Sequence, residues 1–253
     1  MTGLERRPSG VGWEPEARSP SWLGSRKIFR FVPLYTADAL VLRTYALGEA
    51  DRIVVFLTRD RGKKRGVAKS ARRPRSRFTG ALEPLTEAKV AYFESPRREL
   101  VGLNYADPVR SPLALGATGG RQDYDALAHA AYFAELLNEW AQDEDVDERL
   151  YRLGASILDG LAAGVAVDPL ARYFEYWVLR LQGVYPEARD TLSDGAKAFL
   201  SVARSVSPRD AGALPVEALV LRELESVHRT LISMHLEKTL KSDRVLRDLH
   251  RHN

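Results

Sequence analysis

Nineteen residues, from Arg59 to Arg77, contain ten lysines or arginines and a single acidic residue, Asp60. Like charges repel one another at this spacing, so the segment needs a negative partner to offset that cost. Such a set can bind phosphate groups, because Lys and Arg neutralise phosphates and release their counterions. The alternative is a solvated charged surface that only maintains solubility. The candidate phosphate-binding residues are Lys63, Lys64, Arg65, Lys69, Arg72, Arg73, Arg75 and Arg77.

Residue types that commonly perform catalysis or bind metal ions form no recognisable site in this sequence. The chain has no cysteine, which excludes disulfides, thiolate zinc sites, iron–sulfur clusters and a cysteine nucleophile. Glu225 and His228 form one E-x-x-H pair, but a carboxylate–histidine centre in a helical bundle needs a second pair and two more carboxylates. Phosphate-cradling glycine loops and H-E-x-x-H are also missing from the sequence. We therefore predict no enzymatic activity, no metal and no cofactor.

Four aromatic residues near the basic run are candidate stacking faces for unpaired nucleic-acid bases. They are Phe78, Tyr92, Phe93 and Tyr105. An aromatic ring stacks on any base, because every base presents a π-face. The competing interpretation for each ring is a core position in a small β-barrel. The sequence leaves both interpretations open.

The elements that must position these residues change character at Pro112. Before it, short segments rich in β-branched and aromatic residues predict five strands, at 39–47, 52–59, 65–71, 85–94 and 99–107. Five strands in about 70 residues indicate a small closed barrel of the OB-fold size class. The basic run then lies on the third strand and on the loop that follows it.

After Pro112 the apolar period becomes 3.6 residues, which predicts helices. We place them at 125–141, 148–164, 169–182, 193–206 and 216–238. Asp168 is the expected N-cap of the third helix, and Gly183 is its expected end. The predicted fold class is therefore α+β and multidomain, with an N-terminal OB-fold β-barrel followed by an all-α helical domain.

Charge and composition divide the chain into three parts. Residues 1–36 are rich in Arg, Pro, Gly and Ser and predict a flexible N-terminal extension. Residues 37–110 are the predicted barrel, and residues 111–253 are the predicted helical domain. The segment 38–110 carries 16 basic and 9 acidic side chains, whereas 111–253 carries 16 and 22, so the two modules are expected to have different partners. The sequence has neither a secretory signal nor an apolar run of the roughly 18 residues that span a membrane, and we expect a cytoplasmic protein.

The predicted helix at 169–182 is rich in large aromatic side chains: Tyr173, Phe174, Tyr176 and Trp177. These four cannot share one face, because adjacent residues point about 100° apart. One side of the helix would pack in the bundle, and another would line a groove that fits a short acidic and apolar peptide. The candidate peptide-binding residues are Arg172, Trp177 and Arg180. A plain bundle core is the alternative.

Several segments resemble the RecO family of bacterial recombination mediators. The barrel region carries ADALVLRTYALGEADRIVVFLTRDRGK and GVAKSARRPRSRFTGALEPLTEAKVAYFESPRRELVGL. The helical region adds RYFEYWVLRLQGVYPE, which resembles the helix that leads to a Gly-x-x-Pro element, and HLEKTLKSDRVLRD, which resembles a C-terminal Lys-Ser helix. The resemblance extends in order over roughly residues 37–250.

This resemblance implies an N-terminal OB-fold, a helical C-terminal domain, and binding and annealing of single- and double-stranded DNA. The implied partners are RecR and the acidic C-terminal tail of single-stranded DNA-binding protein. Indirectly they include RecA, which such a protein helps to load onto coated DNA during recombination and repair. Association with the nucleoid is implied as well. By this carry-over Arg72 and Arg73 lie in the family's basic loop, with Lys69, Arg75 and Arg77 beside them.

The sequence departs from the family pattern at one place. Many RecO proteins carry a four-cysteine zinc-finger-like insert after the Gly-x-x-Pro element, whereas Gly183-Val184-Tyr185-Pro186 is here followed at once by EARDTLSDGAKAFL. We therefore expect no zinc. Two other functions stay open, namely an RNA-binding OB-fold protein and an interaction scaffold whose basic loop docks an acidic protein.

Overall fold

In a computed structural model of the chain, the described residues are 33–95, 98–114, 121–186, 191–238, 240–242 and 245–246. The predicted N-terminal extension lies outside this part of the chain, apart from its last four residues. The first strand already begins at Leu34, three residues before the predicted start of the barrel.

Five strands form the N-terminal part of the structure. They are β1 (Leu34–Leu47), β2 (Asp51–Thr58), β3 (Gly62–Ala68), β4 (Glu87–Phe93) and β5 (Val101–Arg110). The strands pair in the order β1-β2-β3-β5-β4, and β4 pairs back with β1, so the sheet closes into a barrel. Only the β3–β5 pair is parallel among these pairings. A closed five-stranded barrel with this strand order is an OB-fold, which confirms the predicted architecture.

Two continuous apolar runs, ALVL at 39–42 and VVFL at 54–57, join the barrel to the helices. Alternate residues of each run face opposite sides of the strand. One side enters the barrel core, and its members are Ala39, Val41, Val54 and Phe56. The other side belongs to the helical core, and its members are Leu40, Leu42, Val55 and Leu57. Both faces of these two runs are therefore buried, which explains why they do not alternate with polar residues.

The helices follow a short 3-10 turn, Pro112–Ala114. Those in the described residues are α1 (Arg121–Trp140), α2 (Glu148–Ala162), α3 (Val167–Leu181), α4 (Asp194–Ala203), α5 (Pro208–Gly212) and α6 (Ala218–Leu236). Five of them confirm the predicted helices, while α5 was not predicted because five residues are too few to show a helical period. The expected N-cap of α3 was wrong: Asp168 lies in the first turn of the helix, and Ala166 occupies the N-cap position without a side-chain hydrogen bond.

The connection between α1 and α2 fixes the start of β3 against the helical part. The backbone N–H of Glu144 donates to the carbonyl of Lys63 at 3.0 Å. Gly62 has a φ of +69°, and a Cβ at this position would lie 2.3 Å from the carbonyl oxygen of Asp145. Only glycine satisfies both the backbone angle and this close approach without displacing the connection.

Candidate nucleic-acid interface

The loop between β3 and β4 carries five of the ten cations of the basic run and is anchored at both of its faces. On the inner side, Phe78 and Leu82 belong to the barrel core. On the outer side, the loop is bonded to the turn between β1 and β2: the N–H of Ser70 donates to the Asp51 carboxylate at 2.7 Å, and the Arg72 guanidinium donates to the carbonyl of Gly48 at 2.6 Å. The loop therefore has a defined path, and its lysine and arginine side chains are exposed.

Five of the eight candidate cations are exposed on this loop, which begins at Lys69. We call them the basic surface: Lys69, Arg72, Arg73, Arg75 and Arg77. In the part of the chain that the structure describes, none of the five forms an ion pair with an acidic side chain. Their repulsion is therefore left uncompensated by the fold, and a polyanion would relieve it.

The other three candidates form ion pairs with acidic side chains; they are Lys63, Lys64 and Arg65. The Lys63 ammonium is buried, donates to the carbonyl of Asn138 at 3.0 Å and lies 3.3 Å from the Asp143 carboxylate. Arg65 lies 3.3 Å from the same carboxylate. Lys63 is thus buried and Arg65 is exposed but ion-paired, and we leave these three residues out of the basic surface.

Lys64 illustrates how fully this charge is compensated. Its ammonium lies 2.9 Å from Glu94 and 3.3 Å from Glu144. Burial alone would lower the pKa of Lys64, but the interactions of its ammonium with the two carboxylates outweigh burial and raise it. Lys64 thus keeps its positive charge, and its ion pairs link β3 to Glu94 at the end of β4 and to Glu144 in the α1–α2 connection.

A groove of about 1070 Å³ opens beside the basic surface, between β3, β5 and the loop that joins β4 to β5. Lys69 and Arg77 from the basic surface line it together with Arg98 from the β4–β5 loop. Its apolar lining includes Val67 and Phe93. The groove therefore combines cations with an apolar floor, the pairing found where single-stranded nucleic acids bind.

The four candidate aromatic rings separate into two groups. Phe78 and Tyr92 are buried in the barrel core, so the competing interpretation holds for them. Phe93 is 38% exposed and lines the groove, whereas Tyr105 is partly exposed but is not among the groove residues. Arg98 was missed by sequence reasoning, although the sequence Ser95-Pro96-Arg97-Arg98 between two predicted strands was a signal of a second basic segment.

Comparison with known proteins matches both parts of this architecture. A family model described as "Recombination protein O N terminal" matches residues 32–112, and one described as "Recombination protein O C terminal" matches residues 121–207. A DNA repair protein RecO of Desulforudis audaxviator (strain MP104C) is 33% identical over 200 residues, which cover 75% of this chain and 77% of that protein. The chain belongs to the RecO family.

Two further relatives show how the similarity is distributed. A DNA repair protein RecO of Koribacter versatilis (strain Ellin345) is 38% identical over 154 residues, 61% of each chain. One of Heliobacterium modesticaldum (strain ATCC 51547 / Ice1) is 28% identical over 263 residues, 86% of this chain and 91% of that protein. Against the first of these two, this RecO-family chain therefore spans about three-fifths of the relative's length.

The predicted peptide-binding residues of this RecO-family chain do not form one surface. Arg180 is exposed and lies over the Trp177 ring at 5.7 Å, and the Trp177 indole N–H donates to the carbonyl of Ala203. Arg172 is buried and pairs with Glu175 at 2.9 Å, so it cannot stand at the rim of a groove. The position expected for Arg172 is therefore corrected, while Trp177 and Arg180 stay a prediction.

Arg172 belongs instead to a buried polar network between α1, α3 and α6. The Glu175 carboxylate accepts from Tyr132 at 2.8 Å and from Arg172 at 2.9 Å, and it lies 3.0 Å from Nδ1 of His228. Burial would raise the pKa of Glu175, but the Arg172 charge and these hydrogen bonds overcome burial and lower it. Burial lowers the pKa of His228, so the imidazole is neutral beside the carboxylate.

This network predicts that acid destabilises the fold. The folded-state pKa values of Glu175 and His228 both lie below their ordinary values of 4.5 and 6.5. As the pH falls through each ordinary value, the unfolded chain therefore takes up a proton before the folded chain does. The free energy of unfolding consequently rises with pH in both of these pH ranges. Below about pH 6.5, His228 should remove up to about 1.4 kcal/mol of unfolding free energy per pH unit. Urea unfolding between pH 5 and pH 8 measures this pH dependence of the unfolding free energy. The conservative His228→Gln variant should lack the decrease that begins below about pH 6.5. An identical pH profile in wild type and variant would contradict the assignment.

The remaining candidate features have structural partners. Glu225 lies 3.6 Å from Arg172 and also binds Arg229, while His235 stacks on Trp140 at 5.9 Å between ring centroids. No cluster of three or more His, Asp or Glu side chains suited to a metal ion occurs among the residues that the structure describes. In the same part of the chain, no helix has the length and apolar character to cross a membrane.

Proposed function

We propose that this protein binds DNA through the basic surface and acts as a non-enzymatic mediator in DNA repair and homologous recombination. The observation that carries the proposal is the basic surface itself: five exposed cations on an anchored loop of an OB-fold, none of which forms an ion pair within the described part of the chain. The relatives named DNA repair protein RecO support it. The proposed place of action is the cytoplasm, in association with the nucleoid.

The mechanism follows from phosphate contacts. Arginine and lysine side chains hold phosphates without reading the bases, so binding is independent of sequence. Each neutralised phosphate also reduces the repulsion that keeps two complementary strands apart. A protein that screens both strands at once would therefore promote their annealing, and this role needs no bond to be made or broken.

Partner proteins complete the proposed role. RecR and the acidic tail of single-stranded DNA-binding protein are the proposed partners, with RecA loaded as the result. Trp177 and Arg180, an aromatic face beside an exposed cation, offer the chemistry that an acidic and apolar tail requires. The net negative charge of residues 111–253 supports a division in which the helices bind proteins and the barrel binds DNA.

A salt titration tests the DNA-binding proposal. Labelled single-stranded DNA, duplex DNA and RNA of one sequence are titrated side by side, and Kd is measured by fluorescence anisotropy from low to high salt. Neutralisation of four or five phosphates predicts a log–log salt slope of about −3 on single strands. The same samples serve for an annealing assay with complementary labelled strands.

The outcomes of this titration separate the competing functions. A steep slope on DNA, with no preference for RNA, supports the mediator. Tighter binding to RNA favours an RNA-binding OB-fold protein. A flat slope, or no binding at low salt, overturns the proposal and favours a scaffold that docks an acidic protein.

A further inference from the structure

We propose that the groove beside the basic surface contains a binding site for one unpaired base, formed by the Phe93 ring and the open space above its strand neighbour, Gly102. The inference rests on the proposed DNA binding and deepens it, because it assigns a single-stranded substrate and a stacking residue to that site. Its basis is a recess in the outer face of the barrel.

Three neighbouring positions on adjacent strands build the recess. Phe93 of β4 pairs with Gly102 of β5, and Gly102 pairs on its other side with Val67 of β3. Directly paired residues project from the same face of a sheet. Across the three strands, this face therefore presents the Phe93 ring, then a gap at Gly102, which has no side chain, and then Val67.

The gap above Gly102 is open. A Cβ placed on Gly102 would meet no atom within 4 Å. Two strand spacings, about 10 Å, separate the backbones that carry Phe93 and Val67. A base that enters this recess would lie flat against Phe93 with its other side toward Val67.

Charge around the recess selects the occupant. Lys69, Arg77 and Arg98 line the groove, against one acidic side chain, Glu99. A base is attached to a phosphate on each side, so its backbone would run along these cations while the base fills the apolar recess. An apolar peptide side chain would fit the recess but would leave the three cations unused.

Strand state follows from the same geometry. A base inside a duplex is stacked and paired, and it reaches a pocket only after it leaves the helix at an energetic cost. The recess therefore favours an unpaired strand, while the basic surface alone would accept either form. Base stacking on an aromatic side chain is sequence-tolerant, so no base preference is expected.

The experiment compares two oligonucleotides of equal length and phosphate number, oligo-dT and a fully abasic strand, by anisotropy at one salt concentration. Wild type should bind oligo-dT about 5- to 100-fold more tightly than the abasic strand. Phe93→Leu should lose the preference for oligo-dT but bind the abasic strand and duplex DNA as wild type does. Phe93→Trp should retain the preference. Gly102→Val should abolish the preference, because the added side chain fills the recess. Val109→Ala, at an exposed apolar position on β5 and outside the groove lining, is the control and should behave as wild type.

Each outcome has one meaning. Equal Kd values of wild type for oligo-dT and the abasic strand overturn the binding site for a base but leave phosphate binding and the proposed function standing. Equal losses of Phe93→Leu on both strands also overturn this binding site, because a stacking residue cannot act on a strand without bases. Failure of wild type to bind either strand at low salt overturns the proposed function itself.

Discussion

A triple charge reversal, Arg73→Glu, Arg75→Glu and Arg77→Glu, is expected to weaken DNA binding by at least roughly 100-fold. Three charge-assisted contacts of about 1 kcal/mol or more each would be replaced by repulsion from the phosphates. The salt slope on single strands should become shallower by about 2 units, since each contact contributes about 0.7. Arg72 is left unchanged in this variant, because its guanidinium bonds to Gly48 and holds the loop.

Anisotropy titrations at several salt concentrations measure both effects, and circular dichroism checks the fold. The matched control reverses three exposed arginines of the helical part, Arg149→Glu, Arg209→Glu and Arg222→Glu, and alters the net charge equally. If binding depends on the basic surface, the control keeps most of its affinity. If both triple variants lose affinity equally, net charge governs binding and the site assignment is wrong.

Removal of the buried Glu175 carboxylate is expected to have the largest effect on stability. Glu175→Gln keeps the shape of the side chain but leaves the Arg172 guanidinium buried, and among the described residues the Glu225 carboxylate, 3.6 Å away, is then the one acidic group left to balance its charge. Loss of one partner from a buried ion pair costs about 3–5 kcal/mol, because the other charge stays desolvated. Since a domain has only about 5–15 kcal/mol of stability, the helical part would approach unfolding at moderate temperature.

Urea and thermal unfolding of wild type and Glu175→Gln measure this cost, with the exposed Glu49→Gln as a control that should change little. A double variant, Glu175→Leu with Arg172→Met, sharpens the test. An apolar pair of similar volume should recover much of the loss if the unpaired charge is its cause. A loss of less than about 1 kcal/mol in Glu175→Gln would contradict the network as a stabilising unit.

Much of the barrel could be predicted because local patterns reflect burial. The apolar runs at 39–42 and 54–57 marked β1 and β2, and the turn residues between runs marked their ends. The sequence did not reveal that both faces of these strands are covered, since that depends on helices that follow about 80 residues later. The short helix α5 carries too few residues for any periodic signal.

The candidate site was predicted in composition but not in detail, for a physical reason. A local count treats Lys63 and Arg73 alike, yet Asp143 reaches Lys63 only because the α1–α2 connection folds back along β3. Likewise, Phe78 and Phe93 are both aromatic residues near the basic run, and only the closed barrel shows which one faces inward. Exposure and long-range charge pairing are tertiary properties that the local pattern does not contain.

The anchoring of the basic loop has a consequence for rates. A loop that must order itself on a ligand gives up part of the interaction energy as conformational entropy, and it often binds slowly. Here Phe78, Leu82 and the bonds to Asp51 and Gly48 hold the loop in place before any ligand arrives. Encounter with a polyanion would then be governed by diffusion and electrostatic steering, with an association rate that falls steeply with ionic strength. Release would need only the return of counterions, so such a surface can exchange one strand for another quickly.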